Sequence, residues 1–314
     1  MPEKYIIDVD TGVDDAQALM LALSRPDVEV IAITCVFGNV LLDQVCLNTL
    51  KVLTVWNRLD VPVYRGCSGP LVTGGLTATH YHGNDGLSDA NLDIDVSLDQ
   101  MQEENAVDAM IRLVNEHPGE ITLVALAPLT NIALALKQDH DFGKKLKKVV
   151  IMGGNTQGRG NSTLCAEFNF ANDPEAAFVV LGELNVPILM VPWEINLSSA
   201  TGQSWEWFDQ WIETDTKKGK FNKAITKSPV YRQRFVSKQS IYRSCDLNAM
   251  ATVVDPSVIT STQDVFATVE LNGTYTRGMM VVDWRNSLKK SPNVTLINSV
   301  NTDMTRKMFE DMIK

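Results

Sequence analysis

The chain has 314 residues, 45% hydrophobic and 21% charged, a composition able to bury a sizeable core in one large domain or two ordinary ones. A formal charge of −10 at pH 7 argues against nucleic acid as a partner, since phosphate contacts need lysine- and arginine-rich faces, and no apolar stretch reaches the roughly 20 residues of a membrane span. Five scattered cysteines and the lack of a basic-then-apolar leader are expected of a cytoplasmic protein with reduced thiols.

A first strand is predicted over Tyr5–Asp8, and Ala16, Leu19, Met20 and Leu23 then recur at helical spacing, which predicts a helix over 14–24. Between and across them runs Asp8-Val9-Asp10-Thr11-Gly12-Val13-Asp14-Asp15, four carboxylates in eight residues with nothing basic among them. Like charges this close need a cation or a set of backbone donors to compensate them. Gly12 permits a sharp turn, and the carboxylates fall at a strand's C-terminal end and a helix's N-terminus, where open α/β sheets bind ligands. The run reads as a metal site.

Further strands are predicted over Val28–Val36, Val61–Tyr64, Ile121–Leu126, Lys148–Met152 and Val186–Val191, with helices over 41–57, 104–116, 129–138 and 174–183. Unalternating runs of Val, Ile and Leu suit strands covered on both faces. The β/α rhythm predicts a Rossmann-like α/β fold, a mostly parallel central sheet flanked by helices, in a single domain spanning 1–314. Residues 201–243 break the rhythm with Trp205, Trp207 and Trp211, a lysine run, and Tyr231-Arg232-Gln233-Arg234-Phe235, and read as a helical insertion or lid. Val265–Leu271 and Tyr275–Val282 read as a hairpin in which Asn272-Gly273 supplies positive φ. A helix is predicted over Thr302–Ile313.

Polar residues follow most of the predicted strands: Asp8 and Asp10, Gly38-Asn39, Gly153-Gly154-Asn155, and Trp193-Glu194. Their convergence at one sheet edge is the expected layout of a small-molecule site. Hard oxygen ligands, without the HExxH or CxxC spacing of zinc sites, select Mg²⁺ or Ca²⁺. A divalent ion held by Asp10, Asp15 and a distant acid could acidify a water or chelate vicinal hydroxyls or phosphate oxygens. Chemistry alone leaves open hydrolysis of a diol-bearing substrate and phosphoryl transfer.

The run Asp8–Asp15 resembles the N-terminal fingerprint of the nucleoside hydrolases, the inosine–uridine-preferring type of N-ribohydrolase. The match continues in order through Val36-Phe37-Gly38-Asn39, His80-Tyr81-His82-Gly83, Leu126-Ala127-Pro128-Leu129-Thr130-Asn131, Val150-Ile151-Met152-Gly153-Gly154, Ala166-Glu167-Phe168-Asn169, Asp173-Pro174-Glu175-Ala176-Ala177 and Val254-Asp255-Pro256-Ser257. The resemblance implies Ca²⁺ held by Asp10, Asp15, Asp246 and the main-chain carbonyl of Leu126, with Asp10 as the general base on a metal-bound water. It implies that Asp14, Asn39, Asn161, Glu167, Asn169 and Asp246 hold the ribose hydroxyls and that Met152 packs beneath the ring. It also implies an oxocarbenium-like transition state and a homodimer or homotetramer.

One position departs from the pattern. Where the best-known branch of the family has a histidine that protonates the leaving base, this chain has Cys245, in Ser244-Cys245-Asp246-Leu247. The four histidines, His80, His82, His117 and His140, all lie in the first half of the chain. The thiol of Cys245 could be the acid or a structural group. The proton could come from His82 or a water, or stacking of the base on Trp193 could make its N7 more basic. The reading is calcium-dependent hydrolysis of the N-glycosidic bond of ribonucleosides. Two alternatives stand beside it: an aspartate-based, Mg²⁺-dependent phosphatase of the haloacid-dehalogenase type, which also begins with a strand and Asp-x-Asp-x-Thr, and a catalytically weak nucleoside-binding homologue.

Overall fold

Ile6 and Ile7 are both fully buried yet face opposite sides of the same strand, because side chains alternate along an extended chain. In the computed structural model, which describes residues 2–197 and 201–314, Ile7 joins a core with Leu19, Leu53 and Ala249. Ile6 joins a second core with Leu123, Leu136 and Val180. A strand apolar on both faces is stable only between two layers of helices, so the architecture is one α/β domain with its sheet in the middle.

The sheet contains β1 (Glu3–Val9), β2 (Val28–Cys35), β3 (Val63–Arg65), β4 (Gln102–Asn105), β5 (Ile121–Ala125), β6 (Lys148–Met152) and β7 (Ile188–Val191), extended by strands Val294–Val300 and Ile259–Val265. From one edge the order is Ile259–Val265, Val294–Val300, β7, β6, β5, β1, β2, β3, β4. Every neighbouring pair is parallel except the first. The chain winds outward from β1 through β4, then returns to lay β5 on the other side of β1 and winds outward again. The order therefore reverses between β1 and β5, and the crevice beyond their C-terminal ends is where such sheets place a ligand. Asp8 and Ala125 are paired across that junction, and Leu126 N–H donates to the Asp8 carbonyl at 2.9 Å.

The parallel sheet agrees with the expectation, and three strands go beyond it. β4 reads Gln-Glu-Glu-Asn and Ile259–Val265 is exposed through its middle; both are edge strands, which need no apolar pattern. Val294–Val300 lies between such an edge and β7. The hairpin is corrected in its turn. Ala267–Val269 pairs antiparallel with Met280–Val282, but the positive φ falls at Gly278 (82°) and not at Gly273. The Glu270 carboxylate accepts from the N–H groups of Asn272 and Gly273, which holds that dipeptide in a local turn instead.

Within 201–243 a two-residue ladder joins Gln203–Ser204 to Ile241–Tyr242, and helices Trp205–Trp211, Lys217–Ile225 and Lys227–Tyr231 lead into a π turn at Arg232–Val236. The three tryptophans are packing residues. Trp207 and Trp211 stack at 5.0 Å, and the indole N–H groups of Trp205, Trp207 and Trp211 donate to Gln239, Glu310 and Phe309. Among the described residues no helix is long and apolar enough to cross a membrane.

Candidate active site

The acidic run is organised by Asp15. It lies in the first turn of α1 (Val13–Ser24), where the glycine cap at Gly12 offers no side chain. Asp15 fills that gap itself: one oxygen accepts from Gly12 N–H at 3.0 Å, the other from Asp10 N–H at 3.2 Å. Its negative charge also suits the helix N-terminus. Asn39, just beyond β2, closes the arrangement. Its N–H donates to Asp10 Oδ2 at 2.7 Å, and its side-chain amide to Asp15 Oδ2 at 3.0 Å. Close approach explains the neighbouring glycines: a Cβ on Gly38 would lie 2.0 Å from Asp10 Oδ2, and one on Gly12 would lie 2.8 Å from both Asn39 Nδ2 and His82 Nδ1.

The distant acid arrives on another element. Asp246 opens the helix Cys245–Val254, and Asp14, Asp15 and Asp246 can bring one oxygen each within 4.8 Å of one another. Asp10 sits beside this trio, hydrogen-bonded to Asp15 and acting electrostatically on Asp246. Burial pushes the carboxyls of Asp10 and Asp246 well above the ordinary range, reinforced by the charge of Asp15 for the former and Asp14 for the latter. Asp15 is raised to about 7, first by burial and then by Asp14. Asp8 lies beneath, fully buried, with Oδ1 accepting from Thr34 and Asn131 and Oδ2 without a partner; burial raises it to about 7.

A second group stands at the ends of β5 and β6. Glu167 caps the short helix Phe168–Asn172, accepting from Asn169, Phe170 and Gly154 N–H groups, and these donors partly offset the burial that raises it to about 7. Asn169 donates to the carbonyls of Leu126 (2.9 Å) and Met152 (3.0 Å), which ties the two strand ends together. Asn161 is different: it lies exposed in the loop before Glu167 and bonds to none of these groups.

His82 is buried with Nδ1 accepting from Val13 N–H at 3.1 Å. That bond assigns the proton of the neutral ring to Nε2, which lies 3.8 Å from Asp14 Oδ1. Burial holds the imidazole below its ordinary pKa against the pull of Asp14. Cys245 packs at the margin of the larger core, and burial, then Asp14 and Asp246, pushes its thiol well up. Trp193 follows β7, half-buried, with its N–H on the Gly154 carbonyl and no ring partner among the described residues.

Three nearby residues were given no individual role by sequence reasoning. Gln233, on the π turn, donates to Tyr81 Oη at 2.6 Å and bonds both main-chain groups of Arg243. Tyr81 and Arg243 act electrostatically on each other and on Cys245. No local signal could have shown that they meet, since the turn at 79–82 and the segment 231–245 come together only in the folded chain. Asp173, by contrast, carried a signal: Asp-Pro at a helix start is a capping pattern, and its carboxylate caps Ala176 while accepting from Thr130 and Leu71.

The arrangement fits a hard divalent cation. Several buried carboxyls crowd one crevice, and Asp14 Oδ1 is buried with no hydrogen-bond partner. Without a counter-charge they cannot all ionise. The donors are all oxygen, the set that suits Ca²⁺ or Mg²⁺.

The family whose sequence model is described as inosine-uridine preferring nucleoside hydrolase matches residues 5–307. The chain is 37% identical over 290 residues to the inosine-uridine preferring nucleoside hydrolase of Crithidia fasciculata, covering 91% of this chain and 89% of that one. It is 32% identical over 315 residues to the pyrimidine-specific ribonucleoside hydrolase RihA of an Enterobacter species, covering 98% and 95%. Among solved structures it is similar to an inosine-guanosine nucleoside hydrolase, with a TM-score of 0.90, 31% identity, and coverage of 100% of this chain and 99% of that one.

Proposed function

The chain belongs to the inosine-uridine preferring nucleoside hydrolase family and is a hydrolase acting on nucleosides, and on that footing we propose that it uses a calcium ion to cleave the N-glycosidic bond of ribonucleosides with water. The observation that carries the proposal is the meeting of Asp14 and Asp15 with Asp246, and Asp10 beside them, at the crevice where the strand order reverses. The names of the relatives differ in the base and share the nucleoside.

Asp10, Asp15, Asp246 and the Leu126 carbonyl would hold the ion, with Asp14 adjoining. Bound there, Ca²⁺ would supply the charge that keeps these carboxyls ionised, chelate the vicinal hydroxyls of ribose and lower the pKa of a water. Asp10 is the proposed general base: Asn39 N–H fixes its Oδ2, so its orientation is set before substrate arrives. Asp14, with its unpartnered Oδ1, accepts from a sugar hydroxyl, and His82 Nε2 faces that oxygen at 3.8 Å. Asn39, Glu167, Asn169, Asp246 and, from its exposed loop, Asn161 complete the ribose contacts, with Met152 beneath the ring. The surrounding negative charge favours an oxocarbenium-like transition state. Trp193 is free to stack on the base. Residues 201–243 act as the lid, presenting the exposed pair Tyr231 and Phe235, whose rings lie 5.9 Å apart.

All five cysteines are free thiols, which supports a reducing, cytoplasmic setting; a homodimer or homotetramer is the assembly the resemblance implies. An aspartyl-phosphate mechanism is disfavoured, because its nucleophile would be Asp8, which is 0% exposed and tied to Thr34 and Asn131.

A reducing-sugar assay on inosine, guanosine and uridine tests the proposal. Ribose and free base should appear in equal amounts. No ribose from any of them would defeat it, and phosphate released from nucleotides instead would favour the phosphatase. Gly38→Ala should lower kcat about 100-fold by displacing Asp10, the cost of an ångström-scale misplacement. A kcat within threefold of wild type would show that Asp10 need not sit where Gly38 allows.

A further inference from the structure

Arg243 is a largely buried cation with no side-chain partner among the described residues. It is 9% exposed, its Nε is buried without a partner, and its guanidinium makes no hydrogen bond or ion pair among the described residues. Its main chain is fixed at both groups: Arg243 N–H donates to Gln233 Oε1 at 2.9 Å, and its carbonyl accepts from Gln233 Nε2 at 2.8 Å. The same Nε2 donates to Tyr81 Oη at 2.6 Å, so the phenol's own hydrogen has no acceptor among the described residues. Tyr81 packs edge-on against His82, with ring centroids 4.9 Å apart, and His82 faces Asp14. Two unspent donors, one of them charged, therefore stand next to Cys245 at the margin of the carboxylate cluster. Leaving the buried Nε without an acceptor is costly, and a ligand rich in acceptors would relieve it.

Resting on the nucleoside-hydrolase reading above, we infer that Arg243, with Tyr81 beside it, receives the departing base as an anion. As the C1′–N bond breaks, its electron pair passes to the ring nitrogen of the base. The guanidinium and the Tyr81 hydroxyl hydrogen-bond the carbonyl oxygen and the adjacent ring nitrogen over which that charge spreads. The oxygen of water bonds to C1′, one of its protons goes to Asp10 and then to solvent, and the base takes a proton from solvent. No proton is required from Cys245. The planar fork of arginine matches two neighbouring acceptors, as O6 and N7 of a 6-oxopurine provide, whereas a 6-amino group sets a donor against it. The preferred class is thus nucleosides whose base carries an exocyclic carbonyl.

The test compares kcat/KM on inosine, adenosine and p-nitrophenyl β-D-ribofuranoside, whose phenolate leaves with little help. Arg243→Gln should lose about 100-fold or more on inosine, the scale of one deleted oxyanion donor, and less than about tenfold on the p-nitrophenyl riboside. Its preference for inosine over adenosine should collapse, and Tyr81→Phe should show a smaller loss of the same kind. Equal losses on all three substrates would make Arg243 merely structural, and no loss would remove it from the base site; either overturns the inference while ribose release by wild type stands. If Arg243→Gln does not fold, Arg243→Lys, which keeps the charge without the fork, must show the same inosine-selective loss. A wild-type protein that cleaves none of the three defeats the proposed function, and the inference with it.

Discussion

Asp10→Asn is expected to lower ribose release by about 10⁴-fold, the upper end of what a positioned general base contributes. The replacement is nearly isosteric, and its carbonyl can still accept from Asn39 N–H, the bond that fixes Asp10 Oδ2. What it loses is the ability to take a proton and one negative charge beside Asp15. Burial and the charge of Asp15 together hold the Asp10 carboxyl well above its ordinary pKa, so the native protein carries a like-charge strain that the amide relieves. In the absence of divalent ions the variant should therefore melt no lower than wild type. Loss of activity with retained or increased stability is the signature of a residue kept for function. Turnover within tenfold of wild type would remove Asp10 from the role of base.

The second large effect concerns stability and pH. In the cation-free protein Asp8 and Asp15 are raised from an ordinary 3.8 to about 7, and Glu167 from 4.5 to about 7. Between roughly pH 4 and 7 the folded state then holds more protons than the unfolded chain, so its stability falls as pH rises through that window. The exposed pairs act in the opposite sense. Arg58 lowers Asp60 and Lys147 lowers Glu3, but solvent-screened pairs contribute little, so the buried group sets the slope. A cation bound at the cluster removes much of that penalty and adds about 2.7 kcal/mol at a hundredfold excess over its dissociation constant. Thermal melts at pH 5 and 7.5, in EDTA and in Ca²⁺, read this directly. The midpoint should drop with pH in EDTA and recover in Ca²⁺; a midpoint that rises with pH in EDTA and ignores Ca²⁺ would contradict the sign.

The central sheet was legible because its inner strands are buried on both faces and so must be apolar throughout, as Ile6-Ile7 and Val149-Val150-Ile151 are. The edges were not, because β4 and Ile259–Val265 answer to solvent on one side and need only backbone pairing. The acidic run was legible for a local reason: crowding of like charge is visible in eight consecutive residues. Asp246 entered only through resemblance, since its partners lie more than 200 positions away. Asn161 shows the converse, a position implied by resemblance that the fold leaves exposed in the loop before Glu167. Tyr81 stood within a matched motif and Gln233 within the 201–243 insertion, but neither they nor Arg243 showed an individual role. Each is an ordinary polar residue until the fold brings the 79–82 turn against the segment that begins at 231.

The central claim is that the carboxylate crevice is a cation site and that catalysis depends on its occupancy. Titrating Ca²⁺ into protein stripped of divalent ions, while following ion binding and ribose release from inosine together, tests it most directly. Activity should be near zero at the start and rise in step with the binding of one ion per chain. Full ribose release from the stripped protein would contradict the account.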